Sequence, residues 1–213
     1  MPYITRPMRY EDCHAIAHMR EFIMDASEPQ LKKISERLIH LKKPGDEKPG
    51  LIPNVYGYVT EYSPSWADIN DTMIVSCAML VPTFSLTEEE KRVGNTDRYD
   101  YRVMNLMTNP GHRKSGCASM CLEMSLQWLR QDYKNPNISA GALGYMYKDR
   151  QNAENILLKA GFKRTNQSYE HNYVDDPEQC SHCPVDHQLC HGLCSLVLFE
   201  LINRKDDEKL CVR

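Results

Sequence analysis

The sequence predicts an α/β fold organised around one central sheet. Three observations carry that expectation. Residues Tyr101–Arg130 read as a strand, a glycine-containing turn and a long helix. About seven strand-like and four helix-like segments are interspersed along the 213 residues, as in a sheet covered by helices. A hydrophobic content of 41% beside 26% charged residues is that of a globule able to bury a sizeable core.

In chain order, Tyr3–Arg6 predicts a short first strand. A helix is expected over 11–24, and His14 and His18 there read as solvated surface rather than a metal pair. A second helix is expected over 29–41, burying Leu31, Ile34, Leu38 and Leu41. Strands follow at Val55–Glu61 and Thr72–Val81, joined through Trp66, Ala67 and Asp68. The stretch Phe84–Tyr99 is polar, with one helical turn at Glu88–Glu90 capped by Ser85 or Thr87. The fourth strand is Tyr101–Thr108, stopped by Pro110 and Gly111. The third helix starts near Ser115 or Gly116 and reaches Arg130, with Ala118, Cys121, Leu122, Leu126 and Leu129 as its apolar stripe. The fifth strand is Ile138–Leu143, extending as far as Tyr145, and its Ala140, Gly141, Ala142 and Gly144 suggest close approach of a backbone or ligand. A fourth helix over Asp149–Lys159 precedes strands at Phe162–Val174, interrupted near Asn166, and at Ser195–Ile202.

The turn before the third helix carries the first chemical signal. Small residues Ser115, Gly116, Ala118 and Ser119 leave helix-start N–H groups uncovered, and Arg113 and Lys114 add positive charge beside His112. Such a turn suits a phosphate or pyrophosphate. It is neither a P-loop nor a dinucleotide fingerprint, since GxxxxGK[ST] and GxGxxG are both absent.

Net charge is −3, which argues against a broad nucleic-acid-binding face. No 18-residue apolar run is present and no membrane span is expected. The first residues lack an apolar leader, and nine cysteines without one point to a reducing, cytoplasmic location. A single domain over 1–213 is expected, with a Cys/His-rich insertion at about 175–194. Cys180, Cys183, His187, Cys190, His191 and Cys194 offer ligands for a structural zinc. Disulfides and free thiols are the alternatives. The cluster has no Arg or Lys, which disfavours a zinc-dependent nucleic-acid module.

The run Arg113-Lys114-Ser115-Gly116-Cys117-Ala118 resembles the coenzyme A loop of the GNAT superfamily, the Gcn5-related N-acetyltransferases, written [Q/R]-x-x-G-x-[G/A]. Pro110 stands three residues ahead, as is frequent in that family. A second motif follows in NAENILLKAGF, where Ala153 lies eight residues before Gly161-Phe162. The resemblance spans Tyr101 to about Tyr173. It implies a mixed, mostly antiparallel sheet of about seven strands, splayed between strands four and five and flanked by about four helices.

The resemblance also implies a function. Acetyl-CoA would be the cosubstrate, its pantetheine arm pairing with Leu106, Met107 and Thr108 and its pyrophosphate resting on Arg113, Lys114, Ser115, Gly116, Cys117 and Ala118. A backbone N–H of Leu106 or Met107 would polarise the thioester carbonyl. Asp100 is the expected base, with Glu61 and His171 as alternatives, and Tyr145 or Tyr147 the expected proton donor. The family's frequent tyrosine four residues before the Gly-Phe pair is Leu157 here. That departure leaves open a non-catalytic acyl-CoA-binding or interaction domain. Expected acceptors are a small-molecule amine or a protein amino group, with the chain a monomer or homodimer.

Overall fold

A computed structural model describes residues 2–24, 56–64, 72–86, 98–132, 139–147, 153–170 and 194–201. The strands are β1 (Tyr3–Pro7), β2 (Tyr56–Tyr62), β3 (Met73–Pro82), β4 (Tyr101–Thr108), β5 (Ala140–Tyr147), β6 (Phe162–Glu170) and β7 (Cys194–Leu201). The helices are α1 (Cys13–Met24), α2 (Cys117–Asp132) and α3 (Glu154–Lys159). Among the described residues the seven strands form one sheet in the order β1-β2-β3-β4-β5-β7-β6. Only β4 and β5 run parallel; the other neighbours are antiparallel. A parallel pair needs a crossover, and α2 supplies it.

Both sheet faces are buried. On one face α2 and α3 bring Cys121, Leu122, Leu126 and Leu157 onto Ala78, Leu80, Val103, Ala142 and Phe199. On the other, α1 brings Ile16 and Met19 onto Val59, Cys77, Met79, Val81 and Met107. Burial on both sides explains why β3 reads as a near-continuous apolar run rather than an alternating one.

The expected strands are found with small shifts at their ends, and the expected stripe of α2 is buried at Ala118, Cys121, Leu122 and Leu126. The stripe also includes Ser125, whose hydroxyl donates to the Cys121 carbonyl at 2.7 Å within the helix. The first helix opens with a 3-10 turn at Tyr10–Asp12, and His14 and His18 are exposed on it. The break expected near Asn166 is a register irregularity between Arg164 and Ser168. The helix expected over 29–41, the turn at Glu88–Glu90, residues 149–152 and the Cys180–His191 ligands lie outside the described residues.

Strand five differs from expectation. It runs through Tyr147, because every residue from Ala140 on pairs with β7. Ladder pairing overrides the poor intrinsic preference of its glycines. Its small residues also have another cause than a ligand. A Cβ on Gly141 would lie 2.6 Å from the Tyr99 ring, while Ala140 and Ala142 pack in the α2-side core. The Tyr99 hydroxyl donates to Glu200 Oε2 at 2.8 Å, and the Arg98 guanidinium carbon sits 4.9 Å from the centre of the ring.

Near the β1 edge, Arg6 ties three segments together. Its Nη1 and Nη2 donate to the two Asp12 carboxylate oxygens, each at 2.7 Å. Its Nε donates to Glu61 Oε1 at 2.8 Å. The bond to Asp12 is the main reason Arg6 holds its proton even more tightly than a free guanidinium. Asp12 is 5% exposed and also accepts the Arg9 N–H at 2.6 Å.

Two outcomes follow. Asp12→Ala leaves the Arg6 charge half-paired and is expected to cost about 3 kcal/mol in urea denaturation. Burial first, then the bond to Glu200, pushes the Tyr99 phenol up to about 12. The folded chain therefore keeps that proton after the unfolded chain has lost it. The resulting stability is full below about pH 10 and falls as pH climbs toward 12. Melting curves over that window should show a steeper loss for wild type than for Tyr99→Phe.

Candidate active site

The site begins where β4 and β5 part. They pair only at Tyr101↔Ala140, Arg102↔Gly141 and Val103↔Ala142. Beyond Val103 the two strands have no ladder in common, although β4 continues to Thr108 and β5 to Tyr147. The result is a splay whose near wall is the edge of β4 that β5 has left.

That wall is not a regular strand. Cys77 pairs with Met107, yet Met79 pairs with Met104. Two steps on β3 therefore match three on β4, which is a β-bulge. Asn105 takes up the extra length at φ 51°, in the left-handed region that asparagine tolerates better than most residues. The bulge changes the alternation as well. Met104 and Met107, three residues apart, both face the α1-side core, whereas Leu106 packs on the α2 side.

At the end of β4 the chain enters the expected anion turn. The Asn109 side chain accepts the Gly111 N–H at 3.2 Å and caps a 3-10 turn over Pro110–His112. Lys114 and Gly116 both have positive φ, at 65° and 82°. Successive changes of backbone hand turn the loop back into α2, which starts at Cys117. Arg113, Lys114, Ser115 and Gly116 are exposed, whereas Cys117 and Ala118 are buried. The loop thus presents two cations and the N-terminus of a 16-residue helix, a positive pole next to the open strand edge.

His112 is an anchor for this loop. Its ring lies 4.7 Å from that of Tyr62 and meets Tyr3 edge-on at 5.9 Å. Its Nδ1 is 3.2 Å from the Tyr3 hydroxyl, and its carbonyl accepts from Ser115 Oγ at 2.5 Å. The loop is therefore bound to the β1–β2 edge through an aromatic cluster.

The structure gives the expected bases other tasks. Asp100 Oδ2 accepts from the Ser139 N–H at 2.8 Å and its hydroxyl at 3.0 Å. This clamp closes the paired end of β4 and β5. Along the strand Asp100 is about 20 Å from Leu106, at roughly 3.3 Å per residue, and its carboxylate is engaged as a clamp between the strands. Glu61 is likewise engaged by Arg6. His171 lies outside the described residues. Tyr145 and Tyr147 fall within β5, paired with Leu196 and Cys194, on the stretch past its last pair with β4. Leu157 is buried in the α2-side core. Among the described residues no group of three His, Cys, Asp or Glu is placed to hold a metal. No described helix is long and apolar enough to cross a membrane.

Sequence reasoning missed the bulge. Its one signal was Asn105, a poor strand former in the middle of an apolar strand.

Comparison with solved structures identifies the fold. The chain is similar to Arabidopsis thaliana NAA60 solved with a bisubstrate analogue, with a TM-score of 0.55 and 9% identity over 94% of this chain and 97% of that one. It is also similar to a putative GNAT-family acetyltransferase from Desulfovibrio desulfuricans, with a TM-score of 0.53 and 11% identity over 94% and 98%. This chain has the GNAT fold. A third similar structure, dodecameric spermidine N-acetyltransferase from Vibrio cholerae, has a TM-score of 0.53 and 10% identity over 98% of both chains. No protein-family model and no curated protein matches the sequence. The seven strands, the parallel β4–β5 pair and the splay are those expected of a GNAT fold.

Gly116→Ala tests the loop. Nothing lies within 4 Å of the position a Cβ would take, so the penalty is conformational alone, about 1–2 kcal/mol. Denaturant unfolding should show that loss, and a neutral result would contradict the loop geometry.

Proposed function

We propose that this protein is an N-acyltransferase that moves an acetyl group from acetyl-CoA directly to a primary amine. The observation that supports this best is the departure of β5 from β4 after Val103, where β4 runs on into the positive loop before α2. A pantetheine arm carries amides that can pair with such an edge as a strand would. The pyrophosphate at its other end matches the N–H groups of Ser115–Ala118 and the charges of Arg113 and Lys114.

In the reaction the neutral amine attacks the thioester carbonyl and a C–N bond forms. The electron pair moves to oxygen, returns, and expels the thiolate as the C–S bond breaks. The amine loses one proton and the sulfur gains one. A backbone N–H at the bulge, from Leu106 or Met107, would hold the oxyanion. With Asp100 and Glu61 engaged elsewhere, Tyr145 and Tyr147 on the open stretch of β5 are our candidates for moving these protons.

The three cysteines whose side chains are described support direct transfer over a covalent intermediate. Cys117 is buried in the phosphate loop, 2.9 Å from Ser115 Oγ. Burial pushes the Cys121 thiol up to about 11, so it is not a thiolate at neutral pH. Cys77 is fully buried. None of these three forms a disulfide, which also suits a cytoplasmic location. The acceptor is a small-molecule amine or a protein amino group, and the chain acts as a monomer or homodimer. Similar structures include a spermidine acetyltransferase and a ribosomal-protein-S5-alanine acetyltransferase.

A second reading, an acyl-CoA-binding domain without transfer, is favoured by Leu157 in the core and by the engaged carboxylates. Release of free CoA across a panel of polyamines, amino acids and peptides separates the two. We expect turnover with at least one acceptor. Replacing Arg113 and Lys114 together with Ala should raise KM for acetyl-CoA about tenfold or more, with a smaller change in kcat. Coenzyme binding without any CoA release would establish the second reading. Absence of coenzyme binding by calorimetry would end both.

A further inference from the structure

We propose that Cys77 is a positioning residue for acyl transfer, acting through Asn105 to aim the Leu106 N–H. The inference rests on the transferase reading. It starts from the way the bulge is fastened. The Cys77 thiol donates to the Asn105 carbonyl at 3.1 Å. The Asn105 side-chain Nδ2 donates to Met79 Sδ at 3.0 Å. Cys77 is 0% exposed and Met79 2%, so the sulfur end of each contact is buried, while Asn105 itself is half-buried. Both sulfurs come from β3, on the closed side of β4.

Peptide geometry turns this clamp into a direction. The Asn105 carbonyl and the Leu106 N–H belong to one planar trans peptide and point opposite ways. With the carbonyl held toward Cys77, the Leu106 N–H is directed away from β3. That is the side on which β5 has parted from β4. Met107 differs from Leu106: it lies two residues before Asn109, whose N–H donates to the Val75 carbonyl of β3 at 2.8 Å, and strand alternation turns the Met107 N–H to that same closed side. Cys77 therefore needs no contact with substrate. Its thiol fixes the plane of a peptide whose other edge faces the thioester oxygen.

Asn105 holds a left-handed backbone conformation, which carries a steric penalty for any residue but glycine. A thiol is a weak donor and a thioether a weak acceptor, so the clamp offsets that penalty without freezing the strand. Loss of either contact lets the Asn105–Leu106 peptide rotate. The oxyanion contact then suffers, while coenzyme affinity, set mainly by the loop at Arg113–Ala118, does not.

The test compares Cys77→Ala with Cys77→Ser, which keeps a donor. Cys77→Ala should lower kcat about tenfold, equivalent to about 1.4 kcal/mol, with KM for acetyl-CoA within about twofold. Cys77→Ser should recover most of the rate. In ¹⁵N spectra, the Leu106 amide should shift between CoA-bound and acetyl-CoA-bound protein in wild type and Cys77→Ser, and lose that difference in Cys77→Ala. A Cys77→Ala enzyme with wild-type kcat and an unchanged Leu106 response overturns the inference alone. Equal loss of rate and melting temperature in both variants also overturns it, since that marks a merely structural thiol. Wild-type protein that binds acetyl-CoA without turnover ends the transferase reading. The Leu106 response then decides separately whether Cys77 aims the amide.

Discussion

The structure depends on the early separation of β4 from β5. Three parallel pairs hold the strands together, the Asp100–Ser139 clamp secures their closed end, and β5 then follows β7 for its whole length. A strand edge inside a sheet carries backbone groups that need partners. Here they face a gap that narrows toward Val103 and opens toward Thr108. The crossover through α2 starts at the open end, so a helix N-terminus and the strand edge that β5 has left come together as a direct result of the topology. No additional element is required to build the site.

The two sides of the sheet differ in texture. The α2 side is packed with leucine, valine, alanine and phenylalanine. The α1 side is rich in sulfur, with Met8, Met19, Met79, Met104, Met107 and Cys77. Methionine has more rotatable bonds than branched aliphatics and a polarizable sulfur, so it fills irregular space. A bulged strand makes such irregular space. The sulfur side is also the side from which Asn105 is held, and the position of the bulge and the composition of the core above it are two aspects of one packing solution.

Patterns that act over a few residues were legible in the sequence. The stripe of α2, the glycine turn and the seven strands follow from local spacing, and the loop motif located the positive pole. Partnerships set by sheet register were not. Asp100 reads as an available carboxylate until Ser139, 39 residues away, is brought beside it. Glu61 reads the same way until Arg6 arrives from β1. Gly141 reads as room for a ligand, whereas its missing side chain makes room for Tyr99. Each case turns on a contact between distant parts of the chain that no local periodicity encodes.

The short seam between β4 and β5 also bears on how the sheet opens. On one side lies a four-stranded antiparallel group, β1-β2-β3-β4, and on the other the group β5-β7-β6. Within each group the ladders are long, while across the seam they amount to three pairs. With three pairs it is the shortest ladder among the described residues, and the parallel one, which is slightly less stable per residue than its antiparallel neighbours. Local opening of the sheet is therefore expected along this seam before another ladder gives way. The line of least pairing in the sheet is the line along which the proposed coenzyme would enter.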